Sequence, residues 1–277
     1  MIWKTRHRTI DLTHHGMVMG ILNATPDSFS DGGKHSQGGA ALGRALEMVE
    51  QGAGIIDIGG ESTRPGAAEV SVKEEMNRTI PLIKSLRNET DVLISIDTSK
   101  SIVAAAAIEA GADIVNDVTG LRDEEMIPLC AESGVGICIM HMLGEPRTMQ
   151  KNPSYENEGG VVAAVKSFFK ERLATLTSQG IDPDCICFDP GIGFGKTLEH
   201  NLELLRHLSE LQEDRPILLG VSRKSFIGVL TDEDDPKKRD AVTAAITAMT
   251  YRSGIKLHRV HDVVTNVHAL RLAQALS

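Results

Sequence analysis

Two basic segments of the chain carry the residue types that bind phosphate esters. Residues 220–226 read Gly-Val-Ser-Arg-Lys-Ser-Phe, and residues 259–261 read Arg-Val-His. Each follows a short apolar run, which predicts a strand that ends in cations and hydroxyls. Guanidinium, ammonium and imidazole groups donate charge-assisted hydrogen bonds to phosphate oxygens. Either segment alone fits a solvated surface equally well, but both at the same end of successive strands favour a phosphate or diphosphate site.

Carboxylate and carboxamide side chains end three further predicted strands. These are Asp97, Asn116 and Asp189. A carboxylate at the mouth of an apolar barrel accepts two parallel N–H bonds from a guanidine-like edge, such as that of a 2-amino-4-oxopyrimidine. Helix capping is the alternative for Asp97, because Thr98 and Ser99 follow it. Two acids in one pocket repel each other, and Lys224 is the cation expected to offset them.

A glycine run at residues 190–197, Pro-Gly-Ile-Gly-Phe-Gly-Lys-Thr, resembles the end of a phosphate-binding P-loop. Pro190 stands where that motif needs its first glycine, and proline has a fixed φ and no N–H. Nucleotide triphosphate hydrolysis is therefore disfavoured.

The elements that must position these side chains alternate along the chain. Apolar runs predict strands at 17–22, 54–58, 92–96, 113–116, 135–140, 185–188, 217–219 and 255–260. Amphipathic patterns predict helices at 39–51, 72–87, 101–110, 160–179, 198–211 and 240–252. Eight such units favour a closed (β/α)8 TIM barrel over an open sheet, with active groups at the carboxyl ends of the strands. We predict one domain over residues 1–277, with residues 1–15 forming a hairpin or cap.

Composition indicates which binding partners and which cellular location the protein has. The net charge of −9 argues against nucleic acid, because a phosphate backbone requires a basic footprint. No apolar run approaches the roughly 18 residues of a membrane span, and residues 1–15 lack the core of a secretory signal. The four cysteines form no CxxC pair and indicate buried free thiols. These features predict a cytoplasmic protein with small-molecule partners.

Seven segments, taken in order, resemble the dihydropteroate synthases, the pterin-binding enzymes of folate biosynthesis that sulfonamides target. The segments lie at residues 20–33, 57–66, 97–100, 140–142, 188–196, 222–225 and 259–263. The resemblance covers essentially the whole chain. It implies a transferase that condenses 6-hydroxymethyl-7,8-dihydropterin diphosphate with p-aminobenzoate, giving 7,8-dihydropteroate and diphosphate by a dissociative, Mg2+-assisted displacement.

The resemblance also implies a role for each residue of the site. Catalytic roles fall on Lys224, Arg259, His261, Arg64 and Asp31. The pterin diphosphate would contact Thr63, Asp97, Asn116, Met140, Asp189, Gly220, Lys224, Arg259 and His261. The aminobenzoate would contact Phe29, Thr63, Arg64, Pro65, Phe194, Lys224 and Ser225. Asn23 would bind Mg2+, and a homodimer is implied.

Two other interpretations remain open from the sequence alone. One is the pterin domain of a folate-dependent methyltransferase, which has no need of the two basic segments. The other is a non-catalytic pterin-binding paralogue. Two positions also depart from the family pattern: Val242 precedes Thr243 where the family has glycine, and Leu143 replaces a common glutamine.

Overall fold

The computed structural model describes residues 1–24, 34–62, 68–145 and 148–277, and only the backbone of residues 34–38. The strands are β1 (Ile2–Lys4), β2 (Thr9–Asp11), β3 (Met17–Asn23), β4 (Ile55–Gly59), β5 (Leu93–Asp97), β6 (Ile114–Asp117), β7 (Gly136–Met140), β8 (Ile186–Asp189), β9 (Leu218–Leu219) and β10 (Leu257–Val260). The eight strands from β3 onward fall within one or two residues of the predicted positions.

These eight strands form one parallel sheet in the order β8-β7-β6-β5-β4-β3-β10-β9. The two edge strands approach each other through a parallel bridge between Phe188 and Ile217. The N–H of Phe188 also donates to the carbonyl of Pro216 over 2.9 Å. The sheet is therefore a nearly closed barrel, and the predicted (β/α)8 class is confirmed.

Helices follow the strands as the periodicity predicts. They are α1 (Lys34–Glu50), α2 (Val72–Glu89), α3 (Ser101–Ala110), α4 (Met126–Ser133), α5 (Val161–Ser178), α6 (Leu198–Arg206), α7 (Ser225–Thr231), α8 (Asp240–Tyr251) and α9 (Val263–Ala275). The predicted helix at 198–211 is divided, since α6 ends at Arg206 and a 3-10 turn covers Leu208–Leu211. Helix α4 has only eight residues, too few for its periodicity to stand out.

The inward side chains nearest the amino ends of the strands are apolar. Eight strands contribute Met19, Ile55, Leu93, Ile114, Cys138, Cys187, Leu218 and Leu257 to one buried cluster. Side chains alternate between the two faces of a strand, so the next inward position lies two residues further along. At that level the barrel becomes polar, with Asp57, Ser95, Asn116, Asp189 and Arg259. The change from an apolar to a polar interior places the site at the carboxyl ends.

A two-stranded antiparallel hairpin, β1 and β2, covers the amino end of the barrel. Its Trp3, Ile10 and Leu12 pack into the apolar cluster. The Trp3 indole is fully buried, and its Nε1–H donates to the carbonyl of Cys185 over 2.9 Å. The predicted amino-terminal hairpin is confirmed.

Two further expectations concern membrane-spanning segments and the state of the cysteines. Within the described residues, no helix combines the length and apolar character needed to cross a bilayer. All four cysteines are buried as free thiols, which agrees with the prediction made from their spacing.

Truncating the Trp3 side chain tests how much the amino-terminal hairpin contributes to the stability of the fold. We expect Trp3→Ala to lower the free energy of unfolding by about 3–5 kcal/mol, because it empties a buried site and removes a buried hydrogen bond. Urea unfolding followed by circular dichroism measures the change, with Trp3→Phe as the milder control. A loss below about 1 kcal/mol would show that the hairpin is not part of the core.

Candidate active site

Arg259 lies between two carboxylates at the mouth of the barrel. Its Nε donates to Asp57 Oδ2 over 2.6 Å, and its Nη2 donates to Asp97 Oδ2 over 2.6 Å. Burial would lower the pKa of Arg259, but Asp57 and Asp97 raise it above its ordinary value. The guanidinium therefore stays charged, and its fixed fork faces the mouth. Sequence reasoning assigned no role to Asp57.

Asn116 belongs to the same hydrogen-bonded group. Its Nδ2 donates to Asp57 Oδ2 over 3.2 Å. Burial raises the pKa of Asp97, while the charge of Arg259 opposes that rise. The N-cap of α3 is Lys100, and Asp97 Oδ2 accepts a hydrogen bond from Arg259. The helix-capping alternative for Asp97 was therefore wrong.

Asp189 and Lys224 form a second charged pair beside the first. Asp189 is buried, and its Oδ1 accepts the N–H of Gly191 over 2.7 Å. Burial raises the pKa of Asp189, and the nearby charge of Lys224 opposes the rise. The ammonium of Lys224 also donates to the carbonyl of Ile192. Lys224 thus offsets Asp189, whereas Arg259 rather than Lys224 offsets Asp97.

Gly220 leaves space between these groups. A Cβ at this position would lie 3.5 Å from Asp189 Oδ2, 3.9 Å from Arg259 Cβ and 4.0 Å from Lys224 Nζ. A larger side chain would project among the three polar groups. Glycine therefore keeps the floor of the mouth open.

The two basic segments meet through Ser222 and His261. His261 Nδ1 lies 2.9 Å from Ser222 Oγ, and the backbone N–H of His261 donates to the same oxygen over 3.1 Å. Ser222 is buried, so this contact fixes the end of β10 against the loop after β9. His261 is thereby placed on the same rim as Arg259.

The backbone that presents Lys224 is held from outside the barrel. Arg223 has a φ of +62° and makes a two-point ion pair with Asp240, over 2.8 and 2.7 Å. Arg239 donates to the carbonyl of Arg223 over 3.1 Å. Thr243 Oγ1 accepts the N–H of Arg223 over 3.4 Å and donates to the carbonyl of Arg239 over 3.0 Å. The threonine after Val242 thus contacts the loop directly, and Val242 itself only packs against the core.

One wall of the mouth is apolar. Met140, Val118, Met142 and Met149 form a small buried cluster, with the half-buried Phe194 packed against it. The ammonium of Lys224 lies 4.7 Å from the centroid of the Phe194 ring, a cation–π distance. Polarisable thioethers beside an aromatic ring suit the face of a flat heterocycle.

A buried lysine links the loops that follow β7 and β8. Lys196 Nζ lies 3.0 Å from His141 Nδ1, 3.0 Å from the carbonyl of Phe194 and 3.4 Å from the carbonyl of His141. Three acceptors match the three N–H donors of an ammonium. Burial lowers the pKa of Lys196 to about 7, and burial lowers that of His141 to about 3. The imidazole is therefore neutral and accepts from the lysine.

Two more contacts join the same loops. Tyr155 Oη donates to the carbonyl of Gly195 over 2.8 Å, and Gln150 Nε2 donates to the carbonyl of Gly193 over 2.5 Å. Both donors come from the segment after β7, and both acceptors lie in the glycine run after β8. Hydrogen bonds therefore fix the glycine run at interior positions as well as at its ends.

Close packing accounts for the glycines of that run. Gly191 has a φ of +65°, and a Cβ there would lie 1.9 Å from the carbonyl oxygen of His141. Gly195 has a φ of +63°, and its Cβ would lie 2.7 Å from Leu143 Cβ. The N–H of Gly193 donates to Asn201 Oδ1 over 2.7 Å. The run thus serves strand-loop packing, in agreement with the rejection of a P-loop.

The loop after β4 is anchored by an ion pair on each side of residues 63–67. Lys100 Nζ donates to Glu61 Oε2 and to Glu75 Oε2, each over 2.5 Å, and to the carbonyl of Val70 over 3.0 Å. Glu61 Oε1 accepts the N–H of Val70 over 3.1 Å. Glu75 is buried, and Lys100 is its ion-pair partner. Neither Lys100 nor Glu75 was singled out from the sequence.

Several predicted site residues lie outside the described part of the chain. They are Phe29, Asp31, Thr63, Arg64 and Pro65. Of the rest, Asn23 is half-buried at the end of β3 and Ser225 is exposed at the start of α7. The described residues contain no group of three or more His, Cys, Asp or Glu side chains that could hold a metal.

Comparison with known proteins assigns the family. A model described as "Pterin binding enzyme" matches residues 19–261, the span that contains every mouth residue named above. A dihydropteroate synthase from Synechocystis sp. is 47% identical over 261 residues, covering 94% of this chain and 89% of the relative. The chain belongs to the dihydropteroate synthase family. The resemblance read from the seven segments is thus confirmed.

Solved structures of this family have the same fold. A dihydropteroate synthase from Yersinia pestis in a sulfonamide drug complex superposes with a TM-score of 0.92 at 42% identity, covering 100% of this chain and 99% of that one. The enzyme from Xanthomonas albilineans in complex with 7,8-dihydropteroate has a TM-score of 0.89 at 40% identity, covering 100% and 98%. The family assignment and the barrel therefore agree over the full length of the chain.

The charges around Lys224 predict how it titrates. Burial lowers the pKa of Lys224 to about 8, Asp189 raises it and Arg259 lowers it. We expect the reactivity of Lys224 toward acetic anhydride to rise with a midpoint near pH 8, because only the neutral amine reacts. Competitive labelling read by mass spectrometry measures the midpoint.

Two variants separate the causes of this shift. Asp189→Asn removes the carboxylate that favours the ammonium, so the midpoint should fall. Arg259→Ala removes a competing cation, so the midpoint should rise. A wild-type midpoint near 10.5, or a shift of both variants in the same direction, would contradict the described surroundings of Lys224.

Proposed function

We propose that this chain condenses 6-hydroxymethyl-7,8-dihydropterin diphosphate with p-aminobenzoate to give 7,8-dihydropteroate and diphosphate. The observation that carries the proposal is the meeting of two charged groups at the barrel mouth: Arg259 with Asp57 and Asp97, and Lys224 with Asp189. One set of carboxylates suits the donors of a pterin, and the cations suit a diphosphate. The family assignment supports the same reaction.

The pterin would lie between the polar groups around Gly220 and the apolar wall that contains Met140. Asp189 Oδ2 borders the open space above Gly220, where it can accept N–H donors from the guanidine-like edge of the ring. Asn116 and the remaining oxygen of Asp97 would contact the other ring atoms. Met140 would pack against the face, and Lys224 would donate to the carbonyl side.

The diphosphate would bind where the two basic segments meet. Arg259 offers N–H groups beyond the two that the carboxylates use, and His261 lies on the same rim. Arg64 and Asp31, which lie outside the described residues, are proposed to complete this region. Each cation stabilises negative charge that grows on the leaving oxygen, which is where electrostatic catalysis is strongest.

We propose Mg2+ as the cofactor, held by the carboxamide oxygen of Asn23 and by diphosphate oxygens. An amide oxygen is a hard ligand that suits this ion, and Mg2+ commonly binds through few protein groups plus substrate phosphates and water. The single oxygen ligand at the end of β3 fits that pattern. When bound, the ion would neutralise charge on the diphosphate.

The aminobenzoate would stack near Phe194 and Lys224, and Phe29, Thr63 and Pro65, which lie outside the described residues, are proposed to contact it. Lys224 Nζ already lies over the Phe194 ring, so the two side chains present one continuous surface. The carboxylate of the aminobenzoate would face Ser225, which is exposed at the start of α7.

The chemistry we propose is a dissociative displacement. The C–O bond at the exocyclic methylene breaks, and its electron pair leaves with the diphosphate. The electron-rich dihydropterin stabilises the resulting cation, and the aniline nitrogen then forms the new C–N bond and loses its proton to water. The aniline is uncharged at neutral pH, so no strong base is required. The residues of the mouth act by binding the leaving group, orienting the reactants and excluding water.

A cytoplasmic homodimer is the proposed assembly. Three large apolar side chains are exposed on the neighbouring helices α8 and α9, Met249, Val264 and Leu272, and a fourth, Leu276, directly follows α9. Met249 is 74% exposed and Leu272 59% exposed, on two helices that pack against each other. A second copy of the chain would cover this face.

The reaction is tested by diphosphate release from the pterin substrate, measured with and without p-aminobenzoate and with and without Mg2+. We expect release that depends on both, with one dihydropteroate formed for each diphosphate. Lys224→Ala and Arg259→Ala should each reduce turnover by about 100-fold or more while circular dichroism stays unchanged.

Three outcomes would contradict the proposed reaction. Pterin binding without release would indicate a non-catalytic paralogue. Methyl transfer from a folate would indicate the methyltransferase-like domain. Turnover like that of the wild type in Lys224→Ala or Arg259→Ala would show that the mouth residues do not carry the reaction.

The assembly is tested by sedimentation equilibrium. The chain has a mass of 29.9 kDa, and we expect about twice that value at micromolar concentration. The double variant Met249→Asp and Leu272→Asp should sediment as a monomer, because two charges would be buried in the interface. Ile102→Asp is the matched control, since Ile102 is 61% exposed on α3. A wild-type monomer would overturn the proposed dimer.

A further inference from the structure

We propose that Asp57 is a positioning residue that orients both the diphosphate-binding Arg259 and the pterin-binding Asn116. This inference rests on the proposed function, to which it adds a residue with no assigned role. Asp57 is wholly buried in β4, and its Oδ2 accepts from Arg259 Nε over 2.6 Å and from Asn116 Nδ2 over 3.2 Å. One carboxylate oxygen thus contacts the two side chains that would hold opposite ends of the substrate.

The topology makes this contact possible. Strand β3 separates β4 from β10, and β5 separates β4 from β6. Asp57 therefore reaches across the barrel interior to a residue two strands away on either side. The next inward position of β4 is Gly59, which has no side chain, so Asp57 is the residue of this strand that can make the contact.

For Arg259, the contact with Asp57 selects which donors face the substrate. The guanidinium has five N–H groups. Asp57 takes the one on Nε, and Asp97 takes one on Nη2. Three remain on the outer edge of the fork, in a planar arrangement that matches two oxygens of a phosphate group. Without Asp57 the planar guanidinium is free to rotate about its Cδ–Nε bond, which would turn Nε–H and the outer N–H groups away from these directions.

For Asn116, the contact settles which way the amide points. A carboxylate accepts only, so Nδ2 of Asn116 must face Asp57 and Oδ1 must face away. The reversed amide would set two acceptors against each other. Asn116 is thereby presented as an acceptor for an N–H of the pterin ring. Through a single oxygen, Asp57 thus fixes which way the Asn116 amide points and how the Arg259 guanidinium is rotated.

Stability alone does not explain this carboxylate. Among the described residues, Asp57 Oδ1 is one of few buried side-chain atoms with no hydrogen-bond partner. A buried charge with an unpaired oxygen is costly, and buried ion pairs often contribute little to stability. A second buried pair in this chain shows the contrast. Asp113 Oδ2 accepts from Arg87 over 2.5 Å and from the N–H of Ile94 over 2.9 Å, away from the mouth.

The experiment compares Asp57→Asn with Asp113→Asn in the diphosphate-release assay. Asparagine keeps the size of the side chain and one acceptor but removes the charge and allows the amide to turn. We expect Asp57→Asn to lower kcat by about 100-fold, with the KM for p-aminobenzoate unchanged, because the aminobenzoate does not contact Arg259 or Asn116. Asp113→Asn should keep the wild-type kcat even where it lowers Tm. If circular dichroism shows D57N unfolded, D57S provides the same test.

A double-mutant cycle separates positioning from a general structural effect. If Asp57 acts through Arg259, then Asp57→Asn should cost much less in the Arg259→Lys background than in the wild type. Equal losses in the two backgrounds would overturn the inference. So would a kcat for folded Asp57→Asn within about threefold of the wild type. Failure of the proposed function would appear in the wild-type enzyme itself, so the two failures are distinguishable.

Discussion

The alternation of side chains along eight parallel strands governs this molecule. Because inward positions recur every second residue, each strand contributes one apolar side chain near its amino end, and β4, β5, β6, β8 and β10 each contribute a polar side chain one level above it. The hairpin with Trp3 seals the apolar level, and the polar level opens to the mouth. A shift of register by one residue in any strand would move its polar group outward into the helical layer. The closed ladder prevents such a shift and thereby fixes the site.

Charge is balanced locally at the mouth. Arg259 stands between Asp57 and Asp97, and Lys224 stands beside Asp189, so each buried carboxylate has a cation within its own group. Buried charges without such partners would shift their pKa values toward the neutral form. The arrangement keeps both cations charged while leaving part of each donor set for a ligand. The cations come from β10 and the loop after β9, and the acids come from β4, β5 and β8.

Sequence reasoning placed the barrel strands, the helices other than α4, α7 and α9, and most of the mouth, because hydrophobic periodicity and strand-end polarity are local signals. Asp57 was missed even though it interrupts the apolar run Ile-Ile-Asp-Ile of β4. That interruption is the signal that could have revealed it, since a charge inside a buried strand requires a partner. Its partners, Arg259 and Asn116, are distant in sequence and become neighbours only when the barrel closes. Lys196 and Tyr155 were missed for a related reason: Lys196 contacts the distant His141 and a backbone carbonyl, and Tyr155 donates to a backbone carbonyl, which carries no sequence signature.

The linkage between the loops after β7 and β8 has a thermodynamic consequence. Lys196, Tyr155 and Gln150 together tie four backbone carbonyls of these loops into fixed positions. A ligand that docks against Met140, Phe194 and Asp189 therefore meets a surface that is already ordered and costs little conformational entropy on binding. A flat ring that binds there loses less affinity to ordering of the protein than it would on a surface of unanchored loops.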